Sequence, residues 1–283
     1  MRPCPHCGEC WPAEAIAANL GLCPGHMTRE SGRPGSPCGH HHRLDARTRL
    51  EQMLDDVAAF EEWDRELRPR NPLGFADLVG YEERVGEAHT RTGLHDAVIT
   101  ASGRLEGRTV GIAVMDFNYI GGSMGEVVGE RIARAMERCA ARAIPFIAVT
   151  ASGGARMQEG LLSLMQMAKT SIARSRLAEV PVVYISVLTD PTVGGVMASF
   201  ASSADVIIAE PGATIGFAGA RVIRQATHEE LPLGFQSAEF MLEHGFIDKV
   251  VDRRDLKDAL SRLLALYPIA ALSAGGALQL QHA

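Results

Sequence analysis

Two stretches decide how this chain folds: Ile144–Thr150 running into Ala151-Ser152-Gly153-Gly154, and Val180–Leu188 running into Thr189-Asp190-Pro191-Thr192-Val193-Gly194-Gly195. Each is a short apolar run closed by a glycine pair, and each is followed by a stretch with helical character, from about Arg156 to Leu177 and then to about Ser203. Short apolar runs bounded by glycine predict strands buried on both faces. The two glycine pairs stand 41 residues apart, and a third, shorter run, Val206–Ala209, ends in Pro211-Gly212. A repeating unit of strand, glycine turn and helix predicts an α/β fold, either a winding stack of strands with helices outside or a doubly wound parallel sheet. Periodicity does not separate the two.

Upstream of this unit, 98–104 and 108–115 predict two strands joined by a turn. The Gly121-Gly122 turn comes next, then a long helix near Gly125–Ala141. Arg43–Glu66 carries Leu50, Met53, Leu54, Val57 and Phe60 at three- and four-residue spacing and predicts an amphipathic helix. Residues 67–95, polar and broken by Pro69, Pro72 and Gly74, predict a loop with short helical turns.

The 283 residues are 46% apolar, enough for one large domain and a small appendage. A net charge of −6 argues against general nucleic-acid binding by the whole chain. The charge is uneven, with six Lys/Arg against four Asp/Glu in residues 1–50. Arg43, Arg47 and Arg49 there permit weak nucleic-acid contact, although a solvated helix face is the favoured reading of them. The N-terminus has no apolar core of the kind a secretory signal needs, and no run of 18 apolar residues occurs. The expectation is a cytoplasmic protein that does not span a membrane.

Five of the six cysteines lie before residue 40. Cys4-x-x-Cys7 followed by Cys23 supplies three thiolates at zinc-ribbon spacing. A closed tetrahedral site needs a fourth ligand, for which Cys38, His26 and Cys10 are the candidates. A structural zinc ion would replace the core that residues 1–50 lack.

A glycine pair between strand and helix lets backbone approach a ligand closely and leaves amides free to face it. Such a turn suits a carbonyl oxygen that becomes an enolate oxyanion. Its plainer role is close packing of helix on strand. Side-chain catalysts are scarce. There is no nucleophile elbow, no His-Glu-x-x-His and no Walker loop. Asp116, Glu159, Asp190 and Glu210 lie near turns, where a carboxylate more often caps or is solvated.

Several longer segments carry a resemblance. They are 117–125 (FNYIGGSMG), 151–159 (ASGGARMQE), 163–170 (SLMQMAKT), 184–196 (YISVLTDPTVGGV), 209–211, 215–219 (IGFAG), 221–223 and 231–236. Together with the N-terminal cysteines they make the chain resemble the carboxyltransferase β subunits of bacterial acetyl-CoA carboxylase, over nearly its whole length to about residue 265. The resemblance implies a crotonase-type spiral of strand–strand–helix units over 51–268, a zinc ribbon over 1–50 and a tail over 269–283. It implies transfer of a carboxyl group from carboxybiotin, held on a separate biotin carboxyl carrier protein, to acetyl-CoA, giving malonyl-CoA. It also implies an α₂β₂ assembly with a carboxyltransferase α subunit, which supplies a second oxyanion hole around the biotin ureido oxygen. By motif, the Gly194 and Gly195 amides would hold the acyl-CoA carbonyl, and Gly153 and Gly154 would shape the acyl-CoA site. The biotin anion left by release of CO₂ would take the acyl α-proton, which fits the lack of side-chain bases.

The ribbon departs from the family pattern. The family's second close cysteine pair is replaced by Cys23 and, much later, Cys38-Gly39-His40-His41-His42-Arg43. The residues after Cys38 match those after the family's fourth cysteine. The expected zinc ligands are therefore Cys4, Cys7, Cys23 and Cys38, with His26 in reserve and 25–37 an inserted loop. Two other functions compete: a related acyl-CoA carboxyltransferase or decarboxylase of a secondary pathway, and a zinc-ribbon nucleic-acid-binding protein.

Overall fold

The computed structural model describes residues 1–25, 38–228, 230–232, 234–267, 271–272 and 278–279. His26, most of the inserted loop and most of the tail therefore lie outside the described residues. The N-terminal piece holds β1 (Arg2–Pro3) paired antiparallel with β2 (Cys10–Trp11), then α1 (Ala13–Ala18). It has its own small core of Cys4, Trp11, Ile16 and Cys23. Next come α2 (Ala46–Met53), β3 (Glu61–Trp63) and α3 (Tyr81–Thr92). The hairpin of β4 (Val98–Leu105) and β5 (Arg108–Met115) leads to α4 (Glu126–Arg142).

Two strand–turn–helix units come after it. In the first, β6 (Phe146–Ser152) leads to α5 (Leu161–Leu177). In the second, β7 (Tyr184–Val193) leads to the short α6 (Gly194–Val196), which runs on into a wider turn over Met197–Ala201. Then come β8 (Val206–Ala209), β9 (Ile215–Gly216), α7 (Ala220–Thr227), α8 (Ala238–Glu243), β10 (Lys249–Val250) and α9 (Leu256–Leu266), and beyond them β11 (Ala271–Leu272) pairs antiparallel with β12 (Leu278–Gln279).

The main sheet runs β3-β4-β5-β6-β7-β8-β10, with β9 paired to the end of β7. The pairs β3–β4 and β4–β5 are antiparallel, and those from β5 to β10 are parallel. Strands succeed one another across the sheet in chain order. A doubly wound sheet reverses its strand order at a switch point, and this one does not. All seven residues of β6 are buried, as a central parallel strand requires. Helices α4 and α5 pack on each other along their lengths.

Two expectations are corrected. The helix predicted over 43–66 stops at Met53. Leu54 turns extended, and Asp55 binds the β4–β5 hairpin, accepting from the Glu106 and Gly107 amides at 3.0 and 2.8 Å. Sheet pairing then takes Glu61–Trp63 as an edge strand, while Val57 and Phe60 still pack on the core. The loop predicted over 67–95 contains the twelve-residue α3. It buries only Tyr81 and Ala88, too few for a periodic signal, but its ends are well coded. Glu82 and Glu83 lie in the first turn, His89 and Arg91 in the last, and Gly93 closes it in the left-handed region at φ 68°. Among the described residues, no helix is long and apolar enough to cross a membrane.

Candidate active site and metal centre

The sheet brings the two glycine turns together, because β6 and β7 are adjacent and parallel and both turns leave the same edge. A Cβ on Gly194 would lie 2.9 Å from Gly154 Cα, and one on Gly154 would lie 3.3 Å from Gly194 Cα. Both residues have positive φ, +115° at Gly154 and +62° at Gly194, so glycine is required twice over. Beneath them the Thr150 and Thr192 hydroxyls meet at 2.9 Å and tie the strand ends together.

Three of the four glycine amides are already engaged. Gly153 donates to Gly121 O at 2.9 Å, Gly154 to Ser152 Oγ at 3.0 Å and Gly194 to Phe217 O at 2.9 Å. The amides of Gly195 and Ala155 meet no protein acceptor among the described residues. Gly195 is buried, and a buried N–H left unpaired is costly. Ser199 fixes the other side of this peptide by donating to Gly195 O at 2.6 Å. The Ala155 methyl lies 3.6 Å from where a Cβ on Gly195 would be. Two free amides thus stand side by side, one from each turn. Ala155 escaped the sequence reading because a residue type does not reveal whether its amide is engaged.

The four carboxylates near turns are all committed. Glu159 is buried, accepts from the Tyr81 hydroxyl and the Glu126 amide, both at 2.5 Å, and lies 3.5 Å from Arg156. Arg156, itself fully buried, forms a bidentate pair with Asp96 at 2.5 and 3.1 Å. Asp116 accepts from the Ala46 and Asn118 amides, and burial raises its pKa. Asp190 pairs with Arg43 at 3.0 Å and accepts from Thr214 N. Glu210 sits between Arg49 and Arg253, with contacts of 2.5 and 2.6 Å. Burial opposes its charge, but the two guanidinium groups outweigh it and hold the carboxyl at about 2. Arg253 also donates to Leu20 O and Gly21 O, so this ion cluster clamps the N-terminal piece to the large domain.

The same contacts remove most of the basic surface that permitted nucleic-acid contact. Arg49 is buried against Glu210, and Arg43 is held by Asp190 and stacked 4.2 Å over the Phe117 ring, while Arg47 stays exposed.

Beside the glycine turns lies an uncovered apolar face. Helix α5 buries Ser163, Gln166 and Thr170 against the protein, yet Leu161, Leu164, Met165 and Ile172 point outward. With Met157 and Phe217 these residues are 47–74% exposed. Over 161–172 the usual pattern of a surface helix, apolar in and polar out, is inverted, whereas the C-terminal end of α5 buries Ala173 and Leu177. Contiguous exposed apolar surface of this kind marks an interaction site.

Four cysteine sulfurs, those of Cys4, Cys7, Cys23 and Cys38, lie within 4.8 Å of one another. Cys4 Sγ is 3.7 Å from Cys38 Sγ, and Cys7 Sγ is 3.7 Å from Cys23 Sγ. A tetrahedral ion bound at about 2.3 Å from each sulfur would set them about 3.8 Å apart. Burial pushes the Cys23 thiol up to about 12, so a thiolate forms there only beside a cation. The donor set fits one structural metal ion. Cys10 is exposed and outside the cluster. His6 Nδ1 lies 3.2 Å from Cys38 Sγ, the hydrogen-bonded neighbour that ligating groups usually have.

Comparison with known proteins places this geometry. The carboxyl transferase domain family matches residues 73–265. An acetyl-coenzyme A carboxylase carboxyl transferase subunit beta from Rubrobacter xylanophilus is 51% identical over 261 residues, 92% of this chain and 95% of that protein. The chain belongs to the family of acetyl-CoA carboxylase carboxyl transferase β subunits. A second member, from Prochlorococcus marinus (strain MIT 9303), is 47% identical over 96% of this chain and 89% of its own. Among solved structures, the transcarboxylase 12S with hydrolysed methylmalonyl-coenzyme A superposes with a TM-score of 0.68 and 27% identity. The match covers 80% of this chain and 42% of that one, so the chain spans less than half of the transcarboxylase. The MdcD-MdcE heterodimer of a Pseudomonas malonate decarboxylase shares the fold, with a TM-score of 0.60 over 81% of this chain.

Proposed function

We propose that this chain is the acyl-CoA half of a biotin-dependent carboxyltransferase, converting acetyl-CoA to malonyl-CoA for fatty acid synthesis. The observation that carries the reading is the pair of unengaged amides, Gly195 and Ala155, at a site where every nearby carboxylate is already bound. The thioester oxygen would accept from these two amides as it gains charge, and they would bind the enolate more tightly than the ground state. Of the glycines expected from motif, Gly195 donates, while Gly194, Gly153 and Gly154 build the turns. Carboxybiotin, delivered as co-substrate on a separate biotin carboxyl carrier protein, would supply both the carboxyl group and the base. The chain's own task is to hold and orient the acyl group and to keep water out. We read the single winding order of the sheet as the crotonase-type spiral. We also read 1–50 as a zinc ribbon, 51–268 as the transferase domain and 269–283 as a tail.

The exposed face of α5 with Met157 and Phe217 supports a partner, because an apolar row of this size beside the glycine turns is left uncovered by the chain itself. A carboxyltransferase α subunit in an α₂β₂ assembly is the occupant that the reading requires. Cys4, Cys7, Cys23 and Cys38 would hold one Zn²⁺, whose role is to fold the ribbon. We place the assembly in the cytoplasm. The test is carboxyl transfer from malonyl-CoA to free biotin by the purified chain, with and without an α subunit. Activity only in the mixture is expected, and full turnover by this chain alone would overturn the reading.

A further inference from the structure

Gly195 carries no side chain, and the space beside its Cα is closed by two other residues. A Cβ placed there would lie 3.1 Å from Met167 Sδ, 3.5 Å from Met167 Cγ and 3.6 Å from the Ala155 methyl. Met167 is half-buried and packs on the main core. The face of its helix next to it is packed against the protein. Gln166 and Thr170 are buried, and Thr170 Oγ1 donates back to Gln166 O and Met167 O at 3.0 and 3.1 Å. The glycine turn cannot recede either. Ser199 holds the Gly195 carbonyl at 2.6 Å, and Val196 and Phe200 behind it are fully buried.

A thioester whose oxygen accepts from the Gly195 and Ala155 amides would therefore lay its next carbons near a wall of one thioether and one methyl group. We propose that Met167, with the Ala155 methyl, sets the size of the acyl group this transferase accepts. The inference rests on the oxyanion reading of Gly195 given above. A two-carbon acyl group fits against the wall, whereas a methyl branch on its α-carbon meets the Met167 sulfur. One added carbon in an apolar pocket changes discrimination by about 10- to 200-fold. A thioether chain adapts more than a branched one, which places this case toward the lower end.

The experiment uses the chain assembled with an α subunit and compares malonyl-CoA with methylmalonyl-CoA as carboxyl donors to free biotin. Met167→Ala should raise the methylmalonyl/malonyl ratio of kcat/KM about tenfold or more. Met167→Leu, which keeps the bulk, should hold the wild-type ratio, and Ala155→Val should lower it. Met167→Val, a milder truncation, gives the same readout with a smaller rise if the alanine variant does not fold. A ratio within twofold of wild type in a folded, assembled Met167→Ala or Met167→Val enzyme overturns the proposal. Gly195→Val separates this failure from a failure of the oxyanion reading. If that variant keeps wild-type transfer, the oxyanion reading itself falls. If it loses transfer while the Met167 variants leave the ratio unmoved, only the acyl-wall proposal falls.

Discussion

Gly154 and Gly194, 40 residues apart in the chain, lie backbone against backbone, so close that a Cβ on Gly194 would clash with Gly154 Cα and one on Gly154 would be tight against Gly194 Cα. Their contact sets the spacing of the two turns and hence of the Ala155 and Gly195 amides next to them. On the oxyanion reading proposed above, close packing and amide donation, competing explanations when each glycine pair is taken alone, fall to neighbouring residues. Gly154 and Gly194 pack, and Ala155 and Gly195 are free to donate.

That division predicts opposite phenotypes for adjacent substitutions. Gly194→Ala forces a side chain into the left-handed region and to 2.9 Å from Gly154 Cα. It should lower the stability of the chain by about 2 kcal/mol or more, read as a fall in thermal midpoint. A Cβ at Gly195 meets the movable end of Met167 at 3.1 Å. Gly195→Val should therefore fold and assemble, yet lose about a hundred- to a thousand-fold in kcat with a smaller change in KM. A Gly195→Val enzyme with wild-type kcat would return these glycines to a purely structural role.

The pH dependence of stability stems from Glu210. Its carboxyl is held at about 2 between Arg49 and Arg253, below its ordinary value of 4.5. A depressed folded-state pKa gives stability that is present above the unfolded value and lost as pH falls through the folded one. The window is thus about pH 4.5 down to about 2, and the contribution at neutral pH is on the order of 3 kcal/mol. Glu210→Gln should flatten the acid limb of a stability–pH profile measured by denaturant unfolding. It should also destabilise the chain at pH 7 by about 3–5 kcal/mol, because two buried guanidinium groups lose their counter-charge. An unchanged acid limb would show that other groups govern it.

How much of the molecule is legible in the sequence depends on what each feature is made of. Strands β4 to β8 are, because apolar runs such as Phe146–Val149 and Tyr184–Leu188, the second broken only by Ser186, have few other uses. Helix α3 is not, because its signal lies in caps such as Gly93 and not in apolar spacing. Phe60 misleads in the other direction, since its helical spacing from Leu50 and Met53 serves a segment that packs on the core after the helix has ended. At the site, the glycine turns can be found from composition and spacing. The engagement of the Gly194 amide by Phe217 O and the freedom of the Ala155 amide depend on strand register, which no local pattern encodes.

The four-cysteine cluster makes a prediction at the point where its spacing departs from the family pattern. Cys38, not His26, should be the fourth ligand, since its sulfur is 3.7 Å from that of Cys4. Metal analysis of purified variants should find about one zinc per chain in His26→Ala and a substoichiometric amount in Cys38→Ser. Full retention in Cys38→Ser with loss in His26→Ala would reverse the assignment. Because Arg253 ties the ribbon carbonyls of Leu20 and Gly21 to Glu210, chelation should also expose the ribbon–domain boundary to protease.

The exposed face of α5 is the last and most direct test of the partner. Leu161 and Leu164 are 70% and 47% exposed, so a charge placed on either costs the isolated chain little. In a complex, the same charge would be buried in an apolar contact without a counter-ion, which costs several kcal/mol. Leu161→Asp and Leu164→Asp should therefore keep the wild-type thermal midpoint when purified alone. Each should weaken association with the α subunit by about a hundredfold, measured by titration calorimetry or by co-elution at graded concentration. Arg47→Asp, also exposed but at the start of α2, is the matched control and should bind as wild type. Were the two leucine variants to bind the α subunit with unchanged affinity, the partner would have to sit elsewhere. The outward apolar row of α5 would then need another occupant, and the free amides of Ala155 and Gly195 another means of excluding water.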